Sequence, residues 1–107
     1  GKAMGCEVEF LVNEITPAVI NNSEIASKLE NIVTSKDYIS ELESNYQTMG
    51  SEDFSFYLNE VPGCFFFVGS ANKEKGLSFG HHHPKFDFDE KVLPIAVSLL
   101  LDLIDSF

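Results

Sequence analysis

Residues 64–68, Cys-Phe-Phe-Phe-Val, limit the folds open to this sequence more than any other stretch. The run is apolar at every position and lies between Gly63 and Gly69. A short apolar run bounded by glycines is typical of a strand buried on both faces, with neighbouring strands beside it and helices over the sheet. The run therefore predicts an α/β (or α+β) fold with helices covering a sheet.

Two further strands are predicted from weaker patterns. Residues 6–13 alternate, with Val8, Phe10 and Val12 on one side and mostly polar residues on the other, as in a strand with one wet face. Residues 38–46 carry a less regular pattern that suits a short strand or an irregular edge.

Three helices complete the prediction. The first spans about residues 23–35, after a cap at Asn21 or Asn22; the second is short and begins at Ser51. The third begins between residues 89 and 91, because Pro94 is tolerated only in a first turn. About three strands under three helices make a thin domain, so we expect the chain to be a piece of something larger.

The composition argues against several classes of function. The formal net charge is −10, with 17 acidic residues and 7 Lys or Arg, which disfavours binding to nucleic acid or an anionic membrane. No apolar run is long enough for a membrane span, and the first residues do not resemble a signal peptide. Cys6 and Cys64 are expected to be buried free thiols. Free thiols and the lack of a secretion signal favour a cytoplasmic protein.

The histidine triplet at residues 81–83 is the first candidate site. Imidazole is the commonest metal ligand in proteins, and the following Pro84 stiffens the backbone. Alternation along an extended backbone would send His82 to the side opposite His81 and His83, so at most one or two of them bind a metal. A polar surface loop without a ligand remains an alternative.

Acidic residues after the triplet have two interpretations. Asp87, Asp89 and Glu90 are close enough in sequence to accept a hydrogen bond from the second nitrogen of a ligating histidine. For Asp89 the alternative is a helix cap, and for Glu90 a favourable interaction with the helix dipole. Residues 49–54, Met-Gly-Ser-Glu-Asp-Phe, likewise suggest either an anion site at a helix N-terminus or an ordinary capped helix.

Several of these motifs occur together in one order. Met-Gly-Ser-Glu-Asp-Phe (49–54), Val-Pro-Gly (61–63), the phenylalanine run with Val-Gly (65–69), His-His-Pro-Lys-Phe-Asp-Phe-Asp-Glu (82–90) and Leu-Pro-Ile (93–95) follow one another. In this arrangement the sequence resembles the C-terminal part of the M20 metallopeptidases. It is most similar to their amidohydrolase branch, which includes hippurate hydrolases, N-acyl-amino-acid amidohydrolases and auxin-conjugate hydrolases.

The resemblance implies a fold, a reaction and a ligand. Such enzymes have an α/β catalytic domain interrupted by a lid domain. They hold two divalent metal ions (zinc, manganese, cobalt or nickel), and a glutamate acts as base on a metal-activated water that attacks the substrate amide. The histidine two residues before the proline is a metal ligand there, which implies His82 and leaves His81 and His83 outside the motif.

The resemblance also implies what this chain lacks. The general base and the other ligands have no counterpart here, so the parent is expected to be a hydrolase of N-acyl amino acids or small peptides, and this chain alone inactive. Residues 1–16 would be the last lid strand and the return linker, and residues 17–107 the C-terminal part of the catalytic domain. Exposed edges of the 6–13 strand would invite pairing with another copy.

Two other hypotheses remain open. In the first, the chain is a non-enzymatic module that binds a metal or a partner through its histidines and acids. In the second, it is an interaction protein that dimerises through residues 6–13. Neither the acyl group, the amino acid nor the metal follows from the sequence.

Overall fold

The computed structural model describes residues 2–106, in which three α-helices are joined by long irregular segments. A single turn of 3-10 helix at Lys2–Met4 comes first. The helices are α1 (Ser23–Thr34), α2 (Phe54–Glu60) and α3 (Val92–Ser106). The three helices expected from the sequence are therefore present, and they follow one another in the expected order.

The predicted α/β (or α+β) class, with about three strands under the helices, is wrong for this structure. Residues 6–13, 38–46 and 64–68 contain no β-strand, and the one β-type pairing within the described range is an isolated antiparallel bridge between Asn72 and Leu77. A strand requires a second backbone to complete its ladder of hydrogen bonds. These segments have apolar patterns, but residues 2–106 do not supply a neighbouring strand for any of them.

Asn21 takes the position of a neighbouring strand beside the phenylalanine run. Its side-chain Nδ2 donates to the carbonyl of Phe65 at 2.8 Å, and its Oδ1 accepts from the backbone N–H of Phe65 at 2.8 Å. The backbone N–H of Asn22 donates to the carbonyl of Gly63 at 2.9 Å. One side-chain amide thus satisfies both backbone groups of Phe65, which holds the run extended without a sheet.

Local signals explain where each helix begins. Asn22 caps α1, because its side chain accepts from the backbone N–H groups of Glu24 and Ile25 at 3.1 Å each. Pro94 lies in the first turn of α3, the position that tolerates its missing N–H. The predicted cap at Ser51 is wrong, since α2 begins at Phe54, whose N–H donates to the Glu52 side chain at 3.1 Å.

A small core joins α1 to α3. Its buried residues are Leu29 and Val33 from α1 and Leu99 from α3. Cys64 and Phe66, alternate residues of the phenylalanine run, pack against this core. Because side chains alternate along an extended chain, the residues between them face the other way.

The other face of the run builds an aromatic cluster of Tyr46, Phe54, Tyr57, Phe65 and Phe67. The rings of Phe65 and Phe67 meet edge to face at 5.1 Å, and Phe54 lies 5.5 Å from Phe65. Phe54 also contacts Tyr57, and Tyr46 contacts Phe67. Both faces of the run therefore contact apolar groups, but none of residues 64–68 is fully buried as the sequence predicts, and Phe67 is half exposed.

Two smaller expectations can be compared with the structure. Both cysteines are free, as expected, but Cys6 is exposed and Cys64 is half-buried, so they are not two buried thiols. Among the described residues, no helix combines the length and the apolar character needed to cross a bilayer.

Candidate metal-binding site

Two consecutive tight turns carry the histidine triplet. The backbone N–H of His83 donates to the carbonyl of Gly80 at 3.2 Å, and that of Phe86 donates to the carbonyl of His83 at 2.9 Å. Pro84 is the second residue of the second turn, where its fixed φ is favoured. We call residues 79–86 the histidine turn.

His82 has a backbone conformation that few residues other than glycine adopt. Its φ is +66°, and it is the third residue of the turn that begins at Gly80. Several tight turns require a positive φ at this position, and histidine tolerates it better than most side chains. Positive φ in a non-glycine residue costs roughly 1–2 kcal/mol and is found disproportionately at functional sites.

The other two histidines contact phenylalanine rings. His83 stacks on Phe79, with ring centroids 4.4 Å apart and planes 12° from parallel, and His81 meets Phe86 edge to face at 5.0 Å. The Nδ1 of His83 also accepts from the backbone N–H of Lys85 at 3.1 Å. Within the described residues, the exposed imidazole of His82 has no hydrogen bond, ion pair or ring contact, so it differs from both neighbours.

The predicted separation of His82 from His81 and His83 by side-chain alternation along an extended backbone is wrong. The triplet is not extended, so side-chain alternation does not separate the three imidazoles. The two turns do so instead, by placing His81 and His83 against aromatic rings and His82 at the positive-φ position. Whether His82 binds a metal stays a prediction.

Within residues 2–106, the acidic residues after the triplet form no hydrogen bond or ion pair with it. In the part of the chain that the structure describes, Asp87 accepts from the N–H of Phe88, and neither it, Asp89 nor Glu90 is hydrogen-bonded to a histidine. Asp89 precedes α3, and its side chain accepts from the N–H of Lys91 at 3.3 Å. Because α3 begins at Val92, Asp89 stabilises the turn that precedes the helix and is not the N-cap itself.

Asp89 also has two side-chain partners that sequence reasoning missed. The Nζ of Lys75 lies 2.9 and 3.0 Å from its two carboxylate oxygens, and the Nδ2 of Asn72 donates to Oδ2 at 2.6 Å. The hydrogen bond from Lys75, followed by that from Asn72, lowers the pKa of Asp89 to about 2. Residues 69–80 are rich in polar residues and glycines, which is typical of a loop, but this composition does not specify Asp89 as a partner of Asn72 or Lys75.

The donor set in this chain suits one position of a metal site. An exposed imidazole without a competing partner has one ring nitrogen free to bind a metal and the other free to donate to an outer-shell partner. No group of three or more histidines, cysteines, aspartates or glutamates that could hold a metal occurs among residues 2–106. His82 thus fits as a single ligand, and further donors are needed to complete a catalytic centre.

The second candidate site does not provide the geometry of an anion site. Helix α2 has seven residues, and the Glu52 side chain already accepts from the N–H of Phe54. The Oγ of Ser55 donates to the Glu52 carbonyl at 2.7 Å and is completely buried. Residues 49–54 therefore form a mostly exposed turn into α2, in which Glu52 accepts the first helical N–H.

Comparison with known proteins identifies sequence relatives. Residues 4–106 match peptidase family M20/M25/M40. Thermostable carboxypeptidase 1 of Saccharolobus solfataricus is 37% identical over 91 residues, which is 85% of this chain and 22% of the relative. IAA-amino acid hydrolase ILR1-like 5 of Arabidopsis thaliana is 35% identical over 102 residues, 94% of this chain and 23% of the relative.

A bacterial relative likewise matches most of this chain over a small part of its own length. YhaA of Bacillus subtilis, whose name assigns it provisionally to the amidohydrolases, is 33% identical over 96 residues, 90% of this chain and 24% of the relative. The chain thus spans about a quarter of the length of the curated relatives it matches. No solved structure matches it significantly.

Proposed function

Because the chain belongs to peptidase family M20/M25/M40, we propose that it is the C-terminal portion of a two-metal hydrolase. The reaction is cleavage of the amide bond of an N-acyl amino acid or a small peptide. The observation that carries the proposal is the family match over residues 4–106, together with an unpartnered imidazole at His82 in the motif His-x-Pro-x-Phe.

His82 would hold one of the two divalent ions. When bound, such ions (zinc, manganese, cobalt or nickel) polarise an amide carbonyl and lower the pKa of water. The contribution of this chain is to hold the imidazole in the histidine turn, with His81 and His83 kept against Phe86 and Phe79. Because one imidazole does not retain a catalytic metal, the 107-residue chain alone is expected to be inactive.

Two kinds of amide substrate are consistent with the relatives' names. One relative is named a carboxypeptidase and another an IAA-amino acid hydrolase. Both names describe hydrolysis of an amide bond to an amino acid. Small peptides and N-acyl amino acids are therefore the substrate classes to assay.

The domain division and the location of the protein are also part of the proposal. Residues 1–16 would belong to the lid domain and the return linker, and residues 17–107 to the catalytic domain. A cytoplasmic location is supported by Cys6 and Cys64, which are both free thiols.

Association with another copy would involve residues 6–13. These residues are exposed and carry Val8, Phe10 and Val12 without a strand partner among the described residues. An unpaired apolar segment of this kind can add to another backbone. Light scattering of the chain with and without residues 1–14 tests this: a dimer that becomes a monomer on shortening supports it, and an unchanged number of copies per particle contradicts it.

The hydrolase proposal is tested on the complete gene product that contains this chain. It should hydrolyse N-acetyl and N-benzoyl amino acids or dipeptides when zinc, manganese, cobalt or nickel is supplied. His82→Asn keeps a side chain that tolerates positive φ but removes the imidazole. We expect activity to fall by at least about 100-fold, more than the 10–100-fold caused by loss of an outer-shell partner.

His81→Phe provides the matched control. It removes a neighbouring imidazole but keeps an aromatic ring against Phe86. Activity and metal content should stay close to the parent protein. Absence of hydrolysis with all four metals, or full activity in His82→Asn, contradicts the proposal.

A further inference from the structure

The ends of the segment that carries His82 are joined to each other. The backbone N–H of Asp89 donates to the carbonyl of Ser70 at 3.0 Å. Residues 70–89 therefore form a closed loop, and His82 lies within it. We call these residues the ligand loop.

One arm of the ligand loop is a turn closed by backbone hydrogen bonds. Asn72 and Leu77 exchange two backbone hydrogen bonds of 2.7 and 2.8 Å, and Gly76 has a φ of +72° between them. The Oδ1 of Asn72 accepts from the backbone N–H of Lys75 at 3.2 Å. The turn thus fixes the backbones of Asn72 and Lys75 relative to each other.

Asp89 fastens this turn to the start of α3. Its carboxylate accepts from Lys75 Nζ through both oxygens and from Asn72 Nδ2 through one. The Asp89 side chain is only 14% exposed, whereas that of Lys75 is 48% exposed. A largely buried carboxylate with charged and neutral donors holds its position better than a surface ion pair.

We propose that Asn72, Lys75 and Asp89 form a clamp that positions His82 for metal binding. The inference rests on the proposed function of His82 and extends it to residues that do not contact the metal. The clamp closes the base of the ligand loop, while the histidine turn orders its far end. Closure lowers the number of loop conformations, so less conformational freedom is lost when the imidazole is held by an ion.

The clamp is tested first by the order of the histidine turn. NMR order parameters of the backbone amides of residues 79–86 should fall in Lys75→Met, from values typical of rigid backbone toward those of flexible segments. Lys75→Arg should keep them, because a guanidinium can contact both carboxylate oxygens. Amides of α1 and α3 should remain unchanged in both variants.

The second measurement is metal affinity in the complete gene product. Titration with Zn²⁺ and with Mn²⁺ should show weaker binding in Lys75→Met and Asp89→Asn, by about 10-fold, and near-normal binding in Lys75→Arg. Lys36→Met is the matched control, because it removes the ion pair between Lys36 and Asp102, which is not part of the ligand loop.

The outcomes separate the clamp from the proposed function. If His82→Asn leaves metal affinity unchanged, the assignment of His82 fails and the clamp fails with it. If His82→Asn weakens binding but Lys75→Met and Asp89→Asn do not, the metal ligand stands and the clamp is overturned. Equal weakening in Lys36→Met and Lys75→Met also overturns it, because the effect would then be general destabilisation.

Discussion

At the residue scale, a single side-chain amide replaces a strand partner. Asn21 both donates to and accepts from the backbone of Phe65, which is the pairing that a neighbouring strand would make. Asparagine is suited to this because its amide carries a donor and an acceptor side by side. The consequence is that Asn21 helps to hold the phenylalanine run against α1, together with the Asn22–Gly63 hydrogen bond.

We predict that Asn21→Ala destabilises the chain by about 1 kcal/mol. Two hydrogen bonds are lost, but the site is exposed enough for water to replace part of them. The free energy of unfolding in urea measures the change. Asn45→Ala is the control, because among the described residues the Asn45 side chain makes no hydrogen bond; an equal loss in both variants would contradict the prediction.

At the scale of the elements, a polar contact joins α3 to the segment after α1. Lys36 Nζ lies 2.8 Å from Asp102 Oδ1, and the Tyr38 hydroxyl donates to Asp102 Oδ2. The hydrogen bond from Lys36, followed by that from Tyr38, lowers the pKa of Asp102. The hydrogen bond to Asp102 is also the largest cause that raises the pKa of Tyr38, to about 12.

These shifts predict how stability depends on pH. The pKa of Tyr38 is 10.0 when unperturbed and about 12 in the fold, so its contribution is complete below pH 10 and is lost as pH rises toward 12. The pKa of Asp102 is lowered from 3.8, so its contribution is present above that pH and is lost on further acidification. Tyr38→Phe should therefore lower the urea midpoint at pH 7, with the difference shrinking between pH 10 and 12.

Tyr46→Phe is the control for this pH experiment. It keeps the ring contact with Phe67, and its hydroxyl has no hydrogen-bond partner among the described residues. Its urea midpoint should follow that of the parent chain at every pH. A Tyr38→Phe difference that persists undiminished at pH 12 would contradict the assignment of the pH effect to this hydroxyl.

Sequence patterns predicted those secondary-structure elements whose stabilising interactions are made between residues close in sequence. The helices were predictable because caps and apolar stripes act within a few residues, as Asn22 does for α1. The strands were not, because residues 64–68 require a second backbone, and Asn21 supplies only part of one. The assignment of His82 as a metal ligand comes from a family motif and stays a prediction. The Lys75–Asp89 contact joins residues 14 apart through a turn whose geometry the sequence does not specify.

At the scale of the whole molecule, the chain buries little of its surface. Its accessible surface is 9340 Å², while a folded monomer of this size exposes about 6,000 Å². The radius of gyration is 18.9 Å, compared with about 13 Å for a compact domain of similar length. The absence of a sheet among the described residues and this extra surface have one physical origin, because unpaired segments cannot pack in layers.

Helix α3 also exposes more apolar surface than a helix in a compact domain does. Its buried side presents Leu99 to α1, and Leu103 packs on the same core. Its other side carries an apolar stripe that is at least half exposed, with Leu93, Val97, Leu100, Leu101 and Ile104 at helical spacing. A helix that is apolar on both sides is normally buried, so the stripe is a surface that water solvates poorly.

We predict that the isolated chain binds the apolar dye ANS through this stripe, and that Leu101→Glu reduces the binding. Ser98→Glu is the matched control: it adds the same charge to the exposed side of α3 without removing apolar surface. Both variants should keep the helical circular dichroism of the parent chain, since neither residue is buried. Equal dye fluorescence in the two variants, or unfolding of Leu101→Glu alone, would show that Leu101 is not exposed in solution.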